Sequence, residues 1–403
     1  MPETPTDADV VVVGAGPTGL ALATKLILSG VDVILLDRQA AGANTSRATI
    51  VHARTLEALE ELQATQHLVA EGQTCTRFTV RTRRRPLLTT RFEALPTRYP
   101  FALLIAQDRT EAILLDRLHE LGGQVYRPYV FESMTQDHAG VTVTVTDPTG
   151  TTRQIRTRYL VGADGMHSAV RDQAAIGYTG GTRSESFMLG DVRLDRDLPA
   201  ENVSIYLGRN GLFIIIPLPG GVYRMIGATD QTSEHPTAAD LQALLDTSGP
   251  ADTQITELVW SSRFRVHHRL AKNYRAKRVL LAGDSAHVHS PAGGQGMNTG
   301  IQDGIALGHA LAAVLIGSPD TVLDTYATQQ RHVAKQVIAT TRWLTRLWFL
   351  PRPARPLRDA IMRTANHIPF IRRRMAMRIS GLGYRQCAPT NEINRRQTQR
   401  QRT

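Results

Sequence analysis

The chain has 403 residues, 42% of them hydrophobic, two cysteines and a formal net charge of +11. That is enough apolar material for two or three domains, and no run approaches the roughly 20 apolar residues of a membrane span. The excess charge gathers in Arg81 to Arg85, Arg372 to Arg374 and Arg395 to Arg402. No nucleic-acid-binding module surrounds these patches, so they read as solvated faces and a disordered basic tail, not as a nucleic-acid site. Cys75 and Cys387 have no metal-type spacing and read as unpaired thiols of a reducing cytoplasm. The polar residues before Val10 do not form a secretory signal.

Residues 9–13, DVVVV, predict a buried parallel strand. GAGPTG follows at 14–19, then the helical pattern LALATKLILSG, with Gly30 as its C-terminal cap. VDVILLD, 31–37, is a second buried strand, which completes a βαβ unit. TSRATIVHARTLEALEELQ begins as a turn and becomes a helix near Ala53. Residues 109–121 predict another helix, stopped by Gly122 and Gly123. VTVTVTD, 141–147, alternates as an antiparallel strand does. RYLVGADGMHSAVR, 158–171, reads as strand, turn and helix start. Residues 203–230 predict successive strands, 298–316 and 321–348 long helices, and 353–382 basic helix broken by prolines.

This order predicts an α/β protein with a Rossmann-like nucleotide domain interrupted by a β-sheet domain. The expected nucleotide domain spans 1–75, 102–175 and 276–350. The expected substrate domain spans 76–101 and 176–275. A C-terminal helical segment, 351–385, and a basic tail, 386–403, follow.

Gly14-Ala-Gly16-Pro17-Thr18-Gly19 fits GxGxxG. Its glycines permit a tight turn, close approach of a pyrophosphate and close helix–strand packing. The helix N-terminus behind it favours an anion. Asp37, ending the next strand, is placed to take ribose hydroxyls. A second loop, GDSAHVHSPAGGQGMNTGIQDG at 283–304, is again strand, turn and helix. Asp284 can bond a sugar or ribityl hydroxyl. The glycines at 293, 294 and 296 bare N–H groups before a helix that would stabilise negative charge on a reduced flavin. His287 and His289 lack a third ligand at metal spacing, and Ser168 and Ser285 lack a triad context.

GAGPTG…LLDR, YLVGADGMHSAVR and GDSAHVHSPAGGQGMNTGIQDG together resemble the three signatures of the FAD-dependent aromatic hydroxylases of the para-hydroxybenzoate hydroxylase type. The resemblance covers roughly residues 1–350. It implies noncovalent FAD, with Asp37 and Arg38 at the adenosine ribose, Asp standing where the family more often has Glu. It implies Arg47 near the pyrophosphate and flavin, and Gln107 also on FAD. Asp164 and Gly165 form the signature associated with FAD and the nicotinamide nucleotide. Gly283 and Asp284 would serve the ribityl region. Pro291, Gly294, Gln295, Gly296, Met297 and Asn298 would line the isoalloxazine. Arg47 and Pro291 are the expected catalytic positioning residues, with no acid–base pair and no metal. The chain stops soon after RISGLGYR, so the thioredoxin-like domain of larger relatives is expected to be absent.

The implied reaction is monooxygenation with NAD(P)H and O2 as cosubstrates. An electron-rich ring would attack the distal oxygen of a flavin C4a-hydroperoxide, and the cofactor would do the hard chemistry. Alternatives in the same fold are epoxidation, Baeyer–Villiger insertion, antibiotic inactivation, or a flavin dehydrogenase or reductase that never activates O2. The segment WLTRLWFLPRPARPLR, 343–358, gives slight support to a membrane-surface protein. The expected partner is a small aromatic molecule, bound by a cytoplasmic monomer or homodimer. Phe187, Phe213, Tyr223 and Met225 are the expected substrate lining. Few fixed charges stand among them, which favours a polycyclic, polyketide-like phenol over a benzoate. Arg224 is the objection, as a carboxylate clamp if alternation turns it inward.

Overall fold

The computed structural model describes residues 6–42, 48–208, 211–229, 235–290 and 293–387. Strand Asp7–Val13 is the centre of the first sheet, and Val10, Val11 and Val12 are fully buried. β-Branched residues covered on both faces suit a central parallel strand. It pairs in parallel with Thr152–Gly162 on one side and Val33–Leu36 on the other. Strand Val279–Leu281 extends the sheet beyond Thr152–Gly162, also in parallel. The alternating strand Val141–Thr146 joins the same sheet antiparallel to Thr152–Gly162.

Helix Pro17–Leu28 starts on proline, and Gly30 follows it with φ +74°. Its partner is helix Gly296–Leu315. The two approach so closely that a Cβ on Gly300 would stand 2.4 Å from Thr18 Oγ1, and one on Gly304 2.6 Å from the Thr18 carbonyl oxygen. A stripe of glycines is what allows the late helix to lie against the first one.

The second large sheet has eight strands. In order they are His287–Val288, Ile255–Ala271, Tyr178–Leu194, Val222–Thr229, Gly211–Leu218, Asn202–Gly208, Arg77–Arg81 and Pro86–Arg91. One face turns toward the segment around Ile50 and the C-terminal helices. There Phe187, Leu189, Leu212, Ile216 and Ile226 share a core with Ile50, Trp348 and Met362. Helix Ala238–Ser248 covers the other face and buries Leu241 and Leu245 there. A capping box between Thr237 and Asp240 starts that helix. Strand His287–Val288 lies only a few residues beyond Val279–Leu281, yet it belongs to this sheet. A third, three-stranded sheet contains Ile50–Val51, Ala102–Leu104 and Gln73–Cys75.

Helices Arg355–Asn366 and Pro369–Ile379 pack beside strand Pro86–Arg91, where the Asn366 side chain accepts the Thr89 N–H at 3.0 Å. Cys75 is a free, buried thiol that burial pushes up to about 11. Among the described residues, no helix is long and apolar enough to cross a membrane. Most of the expected basic tail, 388–403, lies outside the described residues.

Candidate active site

Gly14 ends the first strand with φ +104°. A Cβ there would stand 2.3 Å from the Ala163 carbonyl oxygen, and one on Gly19 1.8 Å from the Gly14 carbonyl oxygen. At these two positions the chain touches itself. Gly16 differs, because a Cβ there would meet nothing within 4 Å. It opens helix Pro17–Leu28, which has no acidic residue in its first turn and no side-chain cap. Bare N–H groups at the positive end of a helix, with open space before them, suit a phosphate.

Asp37 holds this loop from the next strand. Its Oδ2 accepts the Ala15 N–H at 2.7 Å and its Oδ1 the Gln39 N–H at 2.8 Å. A carboxylate oxygen has a second lone pair, so both remain able to accept a hydroxyl. Arg38 is exposed. Gln107 bonds the chain at Ala48: its Oε1 accepts the Ala48 N–H at 3.2 Å, and its amide donates to Glu111 at 2.8 Å. Arg127 is a site residue that sequence reasoning missed. It donates to the Ala15 carbonyl at 3.4 Å, and its buried Nε has no partner among the described residues. Burial raises the Glu111 carboxyl, and the Arg127 charge draws it partly back.

Asp164 and Gly165 lie at the end of strand Thr152–Gly162. Asp164 Oδ2 accepts the Val170 N–H at 3.2 Å, while Oδ1 is buried without a partner among the described residues. Burial raises this carboxyl above its ordinary value. The second and third signatures are tied together here. Ser285 Oγ donates to the Gly162 carbonyl at 2.6 Å, and Arg171 reaches the carbonyls of Met166 and Ser285. Gly283 packs on Thr18, and Asp284 stands exposed at the end of its strand.

Helix Gly296–Leu315 begins without a side-chain cap. Asn298 is fully buried in its first turn. Its Oδ1 accepts the His52 N–H, and its amide donates to the Ile50 and Gly294 carbonyls, each at 2.7 Å. The Asn298 side chain therefore clamps two loops together. Gln295 donates its amide to the Ile379 carbonyl at 2.7 Å. Gly294 meets Ile50, and Met297 is half-buried. Gly296 has open space where a Cβ would be. Arg47 and Pro291, the expected catalytic residues, lie outside the described residues.

The histidines near this loop serve structure. His52, unnoticed in the sequence, donates Nε2–H to the Gly293 carbonyl at 2.7 Å, and burial lowers it to about 4. His287 bonds Asp303 at 2.7 Å, and Asp303 also accepts the Gly283 N–H at 3.1 Å. Burial opposes protonation of His287, but the Asp303 charge lifts it above its ordinary value. Burial, with the His287 charge, lowers His289 to about 4.

The four expected substrate residues divide between the two faces of the large sheet. Side chains alternate along a strand. Phe187 faces inward, stacked on Phe264 at 5.6 Å between ring centroids and edge-on to Phe349 at 6.2 Å. Phe213, Tyr223 and Met225 face outward into the core under helix Ala238–Ser248, so they cannot roof the same space. Trp260 and Phe264 accompany Phe187 on the inner face instead. The alternation Trp260, Ser262, Phe264, Val266 was their signal. Arg224 does turn inward and is fully buried. It is engaged by Asp191 at 2.7 Å through two nitrogens, and it donates to the Ala48 carbonyl at 3.3 Å.

Residues 7–341 match the family described as FAD binding domain. An uncharacterized aromatic compound monooxygenase of Bacillus subtilis (strain 168) is 34% identical over 398 residues, covering 96% of this chain and 78% of that one. The 12-dehydrotetracycline 5-monooxygenase/anhydrotetracycline 6-monooxygenase of Streptomyces rimosus is 36% identical over 394 residues, covering 94% and 77%. The solved structure of OxyS anhydrotetracycline hydroxylase from Streptomyces rimosus superimposes with a TM-score of 0.79 at 36% identity. It covers 93% of this chain and 76% of that one.

Proposed function

The chain belongs to the FAD binding domain family as a FAD-dependent monooxygenase, and from that premise we propose that it uses NAD(P)H and O2 to hydroxylate a large, flat, weakly charged phenol. FAD, when bound, would supply the redox chemistry between NAD(P)H, O2 and the ring. The protein's part is to bind, orient and exclude water.

The residues fit that cofactor. The open position at Gly16 admits a pyrophosphate to the bare end of helix Pro17–Leu28, and Arg127 stands beside the loop with an unpaired N–H. Asp37 offers its spare lone pairs to a ribose. Arg47 and Pro291 would position flavin and substrate. The uncapped N-terminus of helix Gly296–Leu315 favours negative charge on the flavin ring by ~0.3–2 kcal/mol. Asn298 and His52 would hold that loop in shape.

One observation carries the substrate reading. The guanidinium that strand alternation turns inward, Arg224, is already neutralised by Asp191. A simple benzoate would need that charge free. A polycyclic phenol needs area and stacking instead, which Phe187, Trp260 and Phe264 can offer. The polycyclic tetracycline-type substrate in the relative's name agrees with this choice. The enzyme would work in the cytoplasm, where NAD(P)H is available.

The test compares para-hydroxybenzoate with an anthraquinone-type phenol, following NAD(P)H oxidation and product mass. The polycyclic phenol should stimulate oxidation and gain one oxygen atom. Coupled hydroxylation of the benzoate, with no response to the larger phenol, would overturn the reading.

A further inference from the structure

A cavity of about 290 Å³ opens on the outer face of the large sheet, beyond the end of helix Ala238–Ser248. Its lining includes three arginines, Arg81, Arg83 and Arg196, and, among the described residues, no carboxylate. Their neighbours are paired: Arg77 meets Glu93 and Glu201, and Arg193 meets Glu257. Among the described residues the three cavity arginines have no ion-pair partner, and Arg196 spends one N–H on the Ala251 carbonyl at 2.9 Å. Arg81 lies over the Tyr206 ring, 5.3 Å from its centroid, and its Nε is buried with no hydrogen-bond partner among the described residues. A buried donor on a cation is costly to leave unmade, so the cavity is built for an anion.

Its other surfaces mix the neutral polar side chains of Asn202 and Ser204 with rings and apolar groups. Tyr206 is buried, and Pro217 and Pro250 add flat apolar walls. The volume is near the lower end of small-molecule sites, which run from about 300 to 1,000 Å³. That suits a body of one ring. The cavity is also separate from the candidate active site. Tyr223 lines it from the outer face, while the next residue, Arg224, is buried against the inner one.

We propose that this cavity binds a small planar organic carboxylate, its anionic end on Arg81 and Arg196 and its ring against Tyr206 and the prolines. The assignment goes beyond the reading of the flavin site and does not depend on it.

Benzoate is titrated calorimetrically into the FAD-loaded enzyme while the flavin absorption is followed. One saturable site with an unchanged flavin spectrum is expected. Benzyl alcohol, of similar shape but neutral, should not bind there. Arg81→Gln with Arg196→Gln should weaken benzoate about tenfold or more, the loss of charge-assisted hydrogen bonds, at unchanged flavin content. Unchanged affinity in that double variant would overturn the proposal, as would benzoate binding seen only with a flavin spectral shift. Inorganic phosphate binding as tightly as benzoate would overturn the organic half of the assignment.

Discussion

Arg224 and Asp191 stand opposite each other on neighbouring antiparallel strands and share two hydrogen bonds, Nε to Oδ1 and Nη2 to Oδ2, both 2.7 Å. Arg224 is fully buried. Asp191→Ala should therefore leave an uncompensated buried cation and cost about 3–5 kcal/mol. Replacing both, Asp191→Leu with Arg224→Met, should recover most of that loss. Denaturant unfolding of the single and double variants measures it. A single variant as stable as the parent would show that the pair carries no such weight.

Gly16 and Gly19 should respond differently to the same added methyl group. Gly19→Ala drives a Cβ into the Gly14 carbonyl, so it should destabilise the fold itself by about 1–3 kcal/mol or more. Gly16→Ala meets no protein atom, so the FAD-free protein should melt as the parent does, while FAD affinity falls. Melting with and without added FAD separates the two. Equal FAD affinity in Gly16→Ala would remove the pyrophosphate from that position.

Asn298→Ala should orphan one buried N–H and two carbonyls at once. Roughly 2–4 kcal/mol of stability should go, together with flavin retention, because the loop before helix Gly296–Leu315 loses its tie to Ile50 and His52. Asn298→Asp keeps the acceptor but loses both donors, so it should do no better. Flavin content after gel filtration, read beside the unfolding midpoint, reports both effects.

Acid should loosen the same loop through His52. Its folded value is lowered to about 4 by burial, against 6.5 for an ordinary histidine. The unfolded chain therefore takes up the proton first as pH falls. The stabilisation is present above pH 6.5 and is lost as pH falls from there through about 4. His289, lowered likewise, adds to the trend. His287 is raised and opposes it. His52→Gln should flatten part of the decline in unfolding free energy between pH 7.5 and 5. An unchanged slope would place the sensitivity elsewhere.

Local signals were easiest to read. The GxGxxG turn, the uniform burial of Val10 to Val13 and the start of helix Ala53–Leu59 depend on neighbours in sequence. What escaped notice depends on distant partners. His52 looks like any helix-start residue until Asn298 and Gly293 are beside it. Arg127 lacks a motif, and only the approach of its turn, just after strand Val125–Tyr126, to the Ala15 loop gives it a role. The substrate residues failed for a narrower reason. They were chosen by apolar character, but period-two alternation decides which face each occupies. Phe213, Tyr223 and Met225 therefore went outward, while Trp260 and Phe264 faced in unnoticed.

Strand Val279–Leu281 belongs to the sheet centred on Asp7–Val13, and strand His287–Val288, a few residues later, to the other large sheet. The chain between them is too short to absorb slack. A swing of one sheet against the other must pull on the segment that leaves His287–Val288, and that segment is the glycine-rich loop. The loop is thus geared to the angle between the two halves of the molecule. Anything that tightens or opens that angle would pull on the backbone at Gly293 and Gly294, which leads directly into helix Gly296–Leu315.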